Sequence, residues 1–229
     1  MSTYALRFVG QEGLSNRLSD FDLNQFFLLT AADIKAVGAQ FRSDHRAPAA
    51  LMVLYLRAVG RPLDSSTVLP RNLLRYVGET FRTTAPTIAS LRSIYQRSQT
   101  LYIHQLWAKT HLGLKDLDEQ SEAQLVALLK LQAAEASHSD DLATAACHWL
   151  YEHRILIPGP RRVQDWARAA FAATEAEILQ TISKAVPAAT LKSCRESTYR
   201  QRPDGTATHL EWLKTPSRRH GPTSLTEVL

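Results

Sequence analysis

Cysteine is almost missing from this chain: 229 residues contain two, Cys147 and Cys194. They stand far apart and no secretory leader precedes them. That suggests reduced thiols in a cytosol-like compartment. The opening MSTYALRFVGQEG lacks an apolar core of signal-peptide length, and no run elsewhere approaches a membrane span. The nine glycines are scattered singly, so there is no glycine-rich phosphate loop. The eight histidines form no zinc pattern, because His148 and His153 lie five apart, off one helical face, with Cys147 beside the first. Strand-like alternation of useful length is absent too, and so is any internal repeat. An all-α fold is expected, in two or more small helical bundles with helix-turn-helix-like modules. No enzyme site is visible, although a small enzyme stays open, since sequence does not say which polar groups converge.

What is present is an ordinary hydrophobic share of 45%, with 21% charged residues and a formal charge of +5. The sequence pI of about 9.4 favours an anionic partner mildly. Thr30 with Asp33 has the form of a helix cap, and Ile34, Val37 and Phe41 share one face of the helix that follows. A second helix, from about His45 to Val59, is apolar nearly all round and is expected to be buried; Gly60-Arg61-Pro62 ends it. A third starts near Pro70 with Leu73, Leu74, Val77 and Phe81 inward. Ser121 with Gln124 suggests another cap, and Ser139-Asp140-Asp141 starts a further helix. Its adjacent aspartates fit a cap better than a metal or acid/base pair. A rigid connector, Ile155 to Pro160, leads into a long helix from about Pro160 to Ala185 that Pro187 stops. Residues 188–229 are polar and basic, with Leu191, Leu210, Trp212 and Leu213 as anchors and a helix expected over Thr223–Leu229.

The stretch Pro86–Lys115 is the centre of the functional reading. Ile88, Leu91, Ile94 and Tyr95 give the spacing of one buried stripe, and Tyr102, Ile103, Leu106 and Trp107 repeat it after a polar turn, with Gly113 as a stop. The face left over carries Thr100, His104 and His111, with Arg97 in the turn and Lys109 beside it. Two short helices joined by a basic, hydroxyl-bearing turn have the form of a helix-turn-helix. They also have the form of a plain packing unit.

Several blocks are similar to the N-terminal region of the replicative (class II, Tn-three family) bacterial transposases. They begin with Leu28-Leu29-Thr30…Asp33-Ile34, then His45-Arg46-Ala47…Leu51…Leu54-Tyr55-Leu56-Arg57…Gly60-Arg61. Leu69-Pro70…Tyr76-Val77 and Tyr95…Arg97…Thr100…His104…Leu112-Gly113-Leu114 follow. Leu150…Arg154-Ile155-Leu156-Ile157-Pro158-Gly159 with Ala167-Arg168…Ala172 comes next, then Leu210-Glu211-Trp212-Leu213-Lys214…Pro216…Ser224-Leu225. The blocks keep the family's order over roughly residues 20–229. In one place the chain departs from it: Leu101 stands where the family has an arginine after the threonine, which removes one expected phosphate or base contact.

The resemblance implies sequence-specific binding of double-stranded DNA at a transposon's terminal inverted repeats, in the cytoplasm on the bacterial nucleoid. In that family catalysis belongs to a later DD(E)-type, ribonuclease-H-like domain, where three carboxylates hold magnesium. This chain is accordingly expected to be an N-terminal fragment that needs no cofactor, catalyses nothing and touches no membrane; self-association of the full-length protein is left open. The expected divisions are 1–83 and 84–186 as two DNA-binding modules, and 187–229 as a basic linker or truncated third module. Each module would place a helix in the major groove, with Arg and Lys on phosphates and groove-facing side chains on bases. Candidate contacts in the first are Arg42, His45 and Arg46 at a helix N-terminus, with Arg71 and Arg75. In the second they are Arg97, Thr100, His104 and Lys109, with Arg161, Arg162 and Arg168 on the backbone. The rival reading is a helical protein–protein or regulatory module whose basic charge is incidental.

Overall fold

A computed structural model describes residues 6–64, 67–201, 203, 205 and 208–214, without the side chains of Trp212 and Leu213. Among these residues it is all-α: helices and loops, with no strand beyond the isolated bridges Lys115–Ile155 and Gln201–Thr208. The chain forms two compact units, 1–174 and 175–229.

In the first unit the hub is α3 (Ser43–Val59), whose near-continuous apolar run buries Leu51, Met52, Val53, Leu54 and Leu56 among others. A helix apolar all round must be surrounded, and here α2 (Ala31–Gln40), α4 (Arg71–Thr80) and α6 (Ser98–His111) all pack on it. Gly60 ends α3 in the left-handed region at φ 77°, and a Cβ there would lie 2.7 Å from Ile157 Cδ1. The left-handed backbone favours glycine there, and a Cβ would also have to displace the end of the Ile157 side chain. The Gly60 carbonyl accepts from Ile157 N–H at 2.9 Å, which ties the 155–160 connector to the hub.

The buried cluster around α3 runs from Phe8 to Ala108, so the division expected between 83 and 84 cuts through it. Leu91 and Tyr95 of α5 (Ile88–Tyr95), with Ala108 of α6, bury against this cluster; packing therefore groups both helices with α3. A second cluster joins α7 (Glu119–Ala133), α8 (Ser139–Glu152) and the start of α9 (Pro160–Ala185) through Leu125, Leu129, Leu142, Leu150 and Val163. The boundary between the units falls within α9, at 174/175, and not at the expected 186/187. The second unit continues with α10 (Ala188–Tyr199) and α11 (His209–Lys214). Leu210 is half-buried and Leu191 exposed, while the helix expected over 223–229 lies outside the described residues.

Local signals explain most helix ends. Thr30 caps α2 and Asp33 returns the bond to the Thr30 N–H, a complete capping box. Asp141 accepts from His138 N–H at the start of α8, a capping role and not a metal-binding one. At α7 the cap is Asp118, which accepts from Ser121 N–H at 2.7 Å, instead of the Ser121–Gln124 pair expected. Helix α1 (Asp20–Phe26) was not anticipated. Ser19 caps it, and its buried Asp22 pairs with Arg7 at 3.1 Å.

Candidate nucleic-acid interface

Helices α5 and α6 are joined by Gln96 and Arg97 alone. Thr87 and Ser90 form a capping box that starts α5, and its stripe of Ile88, Leu91, Ile94 and Tyr95 faces inward as the spacing predicts. In α6 three of the four residues expected to face inward face outward, and only Trp107 packs against the core. Tyr102, Ile103 and Leu106 are 61%, 46% and 42% exposed, while His104 is 2% exposed and Ala108 fully buried.

The cause is a polar contact that holds His104 inside. Tyr95 donates its hydroxyl hydrogen to the Pro48 carbonyl at 3.2 Å. Its oxygen then accepts from His104 Nδ1–H at 3.2 Å, which leaves His104 Nε2 as the acceptor for His45 Nδ1–H at 3.3 Å. Phe41 closes the site edge-on, 4.8 Å from the His104 ring. Burial, helped by the nearby His45, lowers the His104 pKa from its ordinary 6.5 to about 4, and burial pushes the Tyr95 phenol up. The two expected DNA-binding modules thus meet in one site: the first turn of α3 is bonded to the middle of α6.

The far end of α6 is fastened by Asp33. Both its oxygens meet Arg57 Nη2 at 2.8 Å, and Oδ1 also meets His111 Nε2 at 2.8 Å. Burial alone would raise this carboxyl; the bonds from His111, Arg57 and Thr30 outweigh it and hold it far below the usual carboxylate range. Three helices are stapled at this point, so α6 is held at its middle and at its C-terminal end.

The candidate contacts separate into engaged and free groups. His104 is a core side chain and cannot reach a groove, which corrects its assignment as a contact. Arg46 donates to the Phe41 and Gly38 carbonyls at 3.0 and 3.2 Å, closing the C-terminus of α2. Lys109 is paired with Asp116 at 2.6 Å, and Arg162 with Glu122 at 2.7 Å while stacked over Trp166. Arg75 stands 3.8 Å from Glu79, and His45 reaches Asp44 on its outer side at 3.7 Å. Thr100 is half-buried. Arg42, Arg71, Arg97, Arg161 and Arg168 are exposed, and their side chains have no bonded partner among the described residues.

Arg42 and Arg97 are the N-cap residues of α3 and α6, and neither helix start carries a side-chain cap bond. Each therefore presents free N–H groups and the positive end of a helix dipole beside a free guanidinium. Between Glu79 and Asp116 the chain has no acidic residue at all. Arg82, Arg92, Arg97, Lys109 and Lys115 supply five positive charges there, matching the net charge of the whole chain, +5. Sequence reasoning missed both this gap and the outward residues Gln99, Tyr102 and Ile103. A count of acidic residues alone would have found the first.

Among the described residues no group of His, Cys, Asp and Glu could hold a metal ion, and no helix is long and apolar enough to cross a membrane. Residues 12–170 match the family described as a domain of unknown function (DUF4158), and the chain belongs to that family. Over all 229 residues it is also 34% identical to the transposase for insertion sequence element IS1071 in transposon Tn5271, from Comamonas testosteroni. The chain spans 23% of the length of that relative.

Proposed function

We propose that α5 and α6 act as a helix-turn-helix which binds duplex DNA at the terminal inverted repeats of a transposon. The chain would serve as the N-terminal part of a replicative, class II (Tn-three) transposase, working in the cytoplasm on the nucleoid. The observation that carries this reading is the acid-free stretch 80–115, which coincides with a closely joined helix pair. A duplex carries a dense row of negative charge, and a helix pair that bears no carboxylate of its own avoids adding repulsion to it. The 34% identity to the IS1071 transposase supports the transposition role.

In this mechanism the N-terminal half of α6 enters the major groove and α5 lies across the backbone. Arg97 and Arg42, each at an uncapped helix start, hold phosphates and set the register. Arg71, Arg75, Arg161, Arg162 and Arg168 add backbone contacts where the duplex passes them. The buried His104 positions α6 and touches no base. Strand cleavage and transfer belong to a DD(E)-type catalytic domain of the longer protein, with magnesium as its cofactor.

The test is binding of the full chain to a duplex bearing the element's terminal inverted repeat, beside a scrambled duplex, at two salt concentrations. Preference for the repeat by roughly 10³-fold or more, with a steep linear fall in log–log form as salt rises, is expected. The exposed apolar residues of α6 favour a second reading, a protein-docking module, which predicts no DNA preference and a flat salt response.

A further inference from the structure

The outward face of α6 is unusual for a helix on a basic surface: it carries no charge. Gln99, Tyr102, Ile103, Leu106 and Thr110 are exposed and make up this face, with the exposed Ser98 just beside it. At 100° per residue they fall within an arc of about 100°, and from Gln99 to Thr110 they rise about 16 Å, some three turns. The charged neighbours flank the arc. Arg97 stands at its N-terminal end, and Lys109 is at its edge, drawn away by Asp116.

An apolar strip set in positive surroundings matches one partner well. The rim fits phosphates, and the strip fits whatever apolar group a duplex offers between them. On the major-groove edge of DNA that group is the C5-methyl of thymine; the other groups that distinguish the base pairs there are hydrogen-bond donors and acceptors. A purely acidic protein partner would satisfy the rim alone, and a purely apolar one the strip alone. Gln99, in the first turn, carries the amide that pairs bidentately with adenine N6 and N7.

We propose that α6 is a thymine-methyl reader: Tyr102 and Ile103, with Leu106 behind them, pack on the methyl groups of one or two thymines, and Gln99 reads an adjacent adenine. The inference rests on the DNA-binding reading above and adds the base composition of the subsite that α6 occupies. It also gives the outward face of α6 a use. Tyr102, Ile103 and Leu106, turned outward by the bonds that hold His104 inside, then meet a base edge.

Deoxyuridine differs from thymidine by that methyl alone, so it supplies the test. Each thymine in the segment of the terminal repeat that the full chain protects is replaced singly by deoxyuridine, and affinity is measured. A loss of about fourfold per methyl is expected at one or two positions, from the transfer energy of a single methyl. Ile103→Ala and Tyr102→Ala should weaken binding to thymine DNA at unchanged melting temperature and abolish the uracil effect at their own position. Retained repeat preference with no uracil effect anywhere in the protected segment would overturn the methyl readout and leave DNA binding standing. Absence of any preference for the repeat would overturn the reading on which the proposal rests, and the proposal with it.

Discussion

His45 and His104, 59 positions apart in sequence, meet ring edge to ring face with 3.3 Å between Nδ1 and Nε2. The run of bonds from His45 through His104 and Tyr95 to Pro48 sets which ring nitrogen of His104 carries its proton, and burial keeps that ring neutral. Its pKa is lowered to about 4 by burial and by His45, so the unfolded chain binds a proton that the native chain refuses. Stability from this site is therefore full above about pH 6.5 and is lost as pH falls through 4, where the slope ends. The loss is on the order of 3 kcal/mol at most, at about 1.4 kcal/mol per pH unit. Urea unfolding between pH 7 and pH 4 measures it. His104→Phe should flatten that segment of the profile, and an unchanged slope in the variant would remove His104 as its source.

Asp33 acts in a different window. Its carboxyl is held below the usual range by His111, Arg57 and Thr30 against the opposing effect of burial, so its contribution is present above about pH 3.8 and lost below. Asp33→Asn keeps the shape but removes the charge that faces Arg57 and His111. A loss of about 2–3 kcal/mol is expected, the low end for a broken buried pair because both partners are partly exposed. The urea midpoint should fall with no change in slope. A loss under about 0.5 kcal/mol would mean that the staple does not hold the three helices.

Sequence patterning conveyed the hub and several boundaries because those signals are local. A run such as Leu51–Leu56 admits no solvated face, Thr30 with Asp33 closes its own box, and Pro160 and Pro187 bracket α9 by their missing N–H groups. Periodicity does not pick out the buried face of α6, because apolar residues occur on all its sides, at 101, 102, 103, 106, 107 and 108. The choice between faces is made by His45 and Tyr95, which satisfy His104 from other helices. No pattern within α6 contains that information. Arg46 and Lys109 look like free cations for the same reason, since their acceptors are the Gly38 and Phe41 carbonyls and Asp116.

Arg61 is buried at 8% exposure beside the end of α3, with one Nη2 donor on Cys147 Sγ at 3.8 Å and its Nε and Nη1 unpartnered. A buried guanidinium so poorly bonded costs more in desolvation than it returns. Arg61→Met is therefore expected to be neutral or stabilising by up to about 2 kcal/mol, read as a thermal melt unchanged or raised by a few degrees. A loss above about 1 kcal/mol would contradict it. DNA affinity should not change, because Arg61 lies off the α5–α6 surface.

Arg97 separates stability from function. As the N-cap of α6 it makes no side-chain cap bond, and its charge faces the positive end of the helix dipole. A serine there would accept from a first-turn N–H and relieve the charge, for a gain of about 1 kcal/mol. If the free guanidinium instead holds a phosphate, the same change removes one ionic contact. Arg97→Ser should then melt a few degrees higher, bind the terminal repeat more weakly, and flatten the slope of log affinity against log salt by about one unit. Scrambled and repeat duplexes should lose affinity by similar factors, since a phosphate contact carries no base information. Higher stability with unchanged affinity and salt slope would take Arg97 out of the interface. A loss confined to the repeat duplex would move it from the phosphates to the bases.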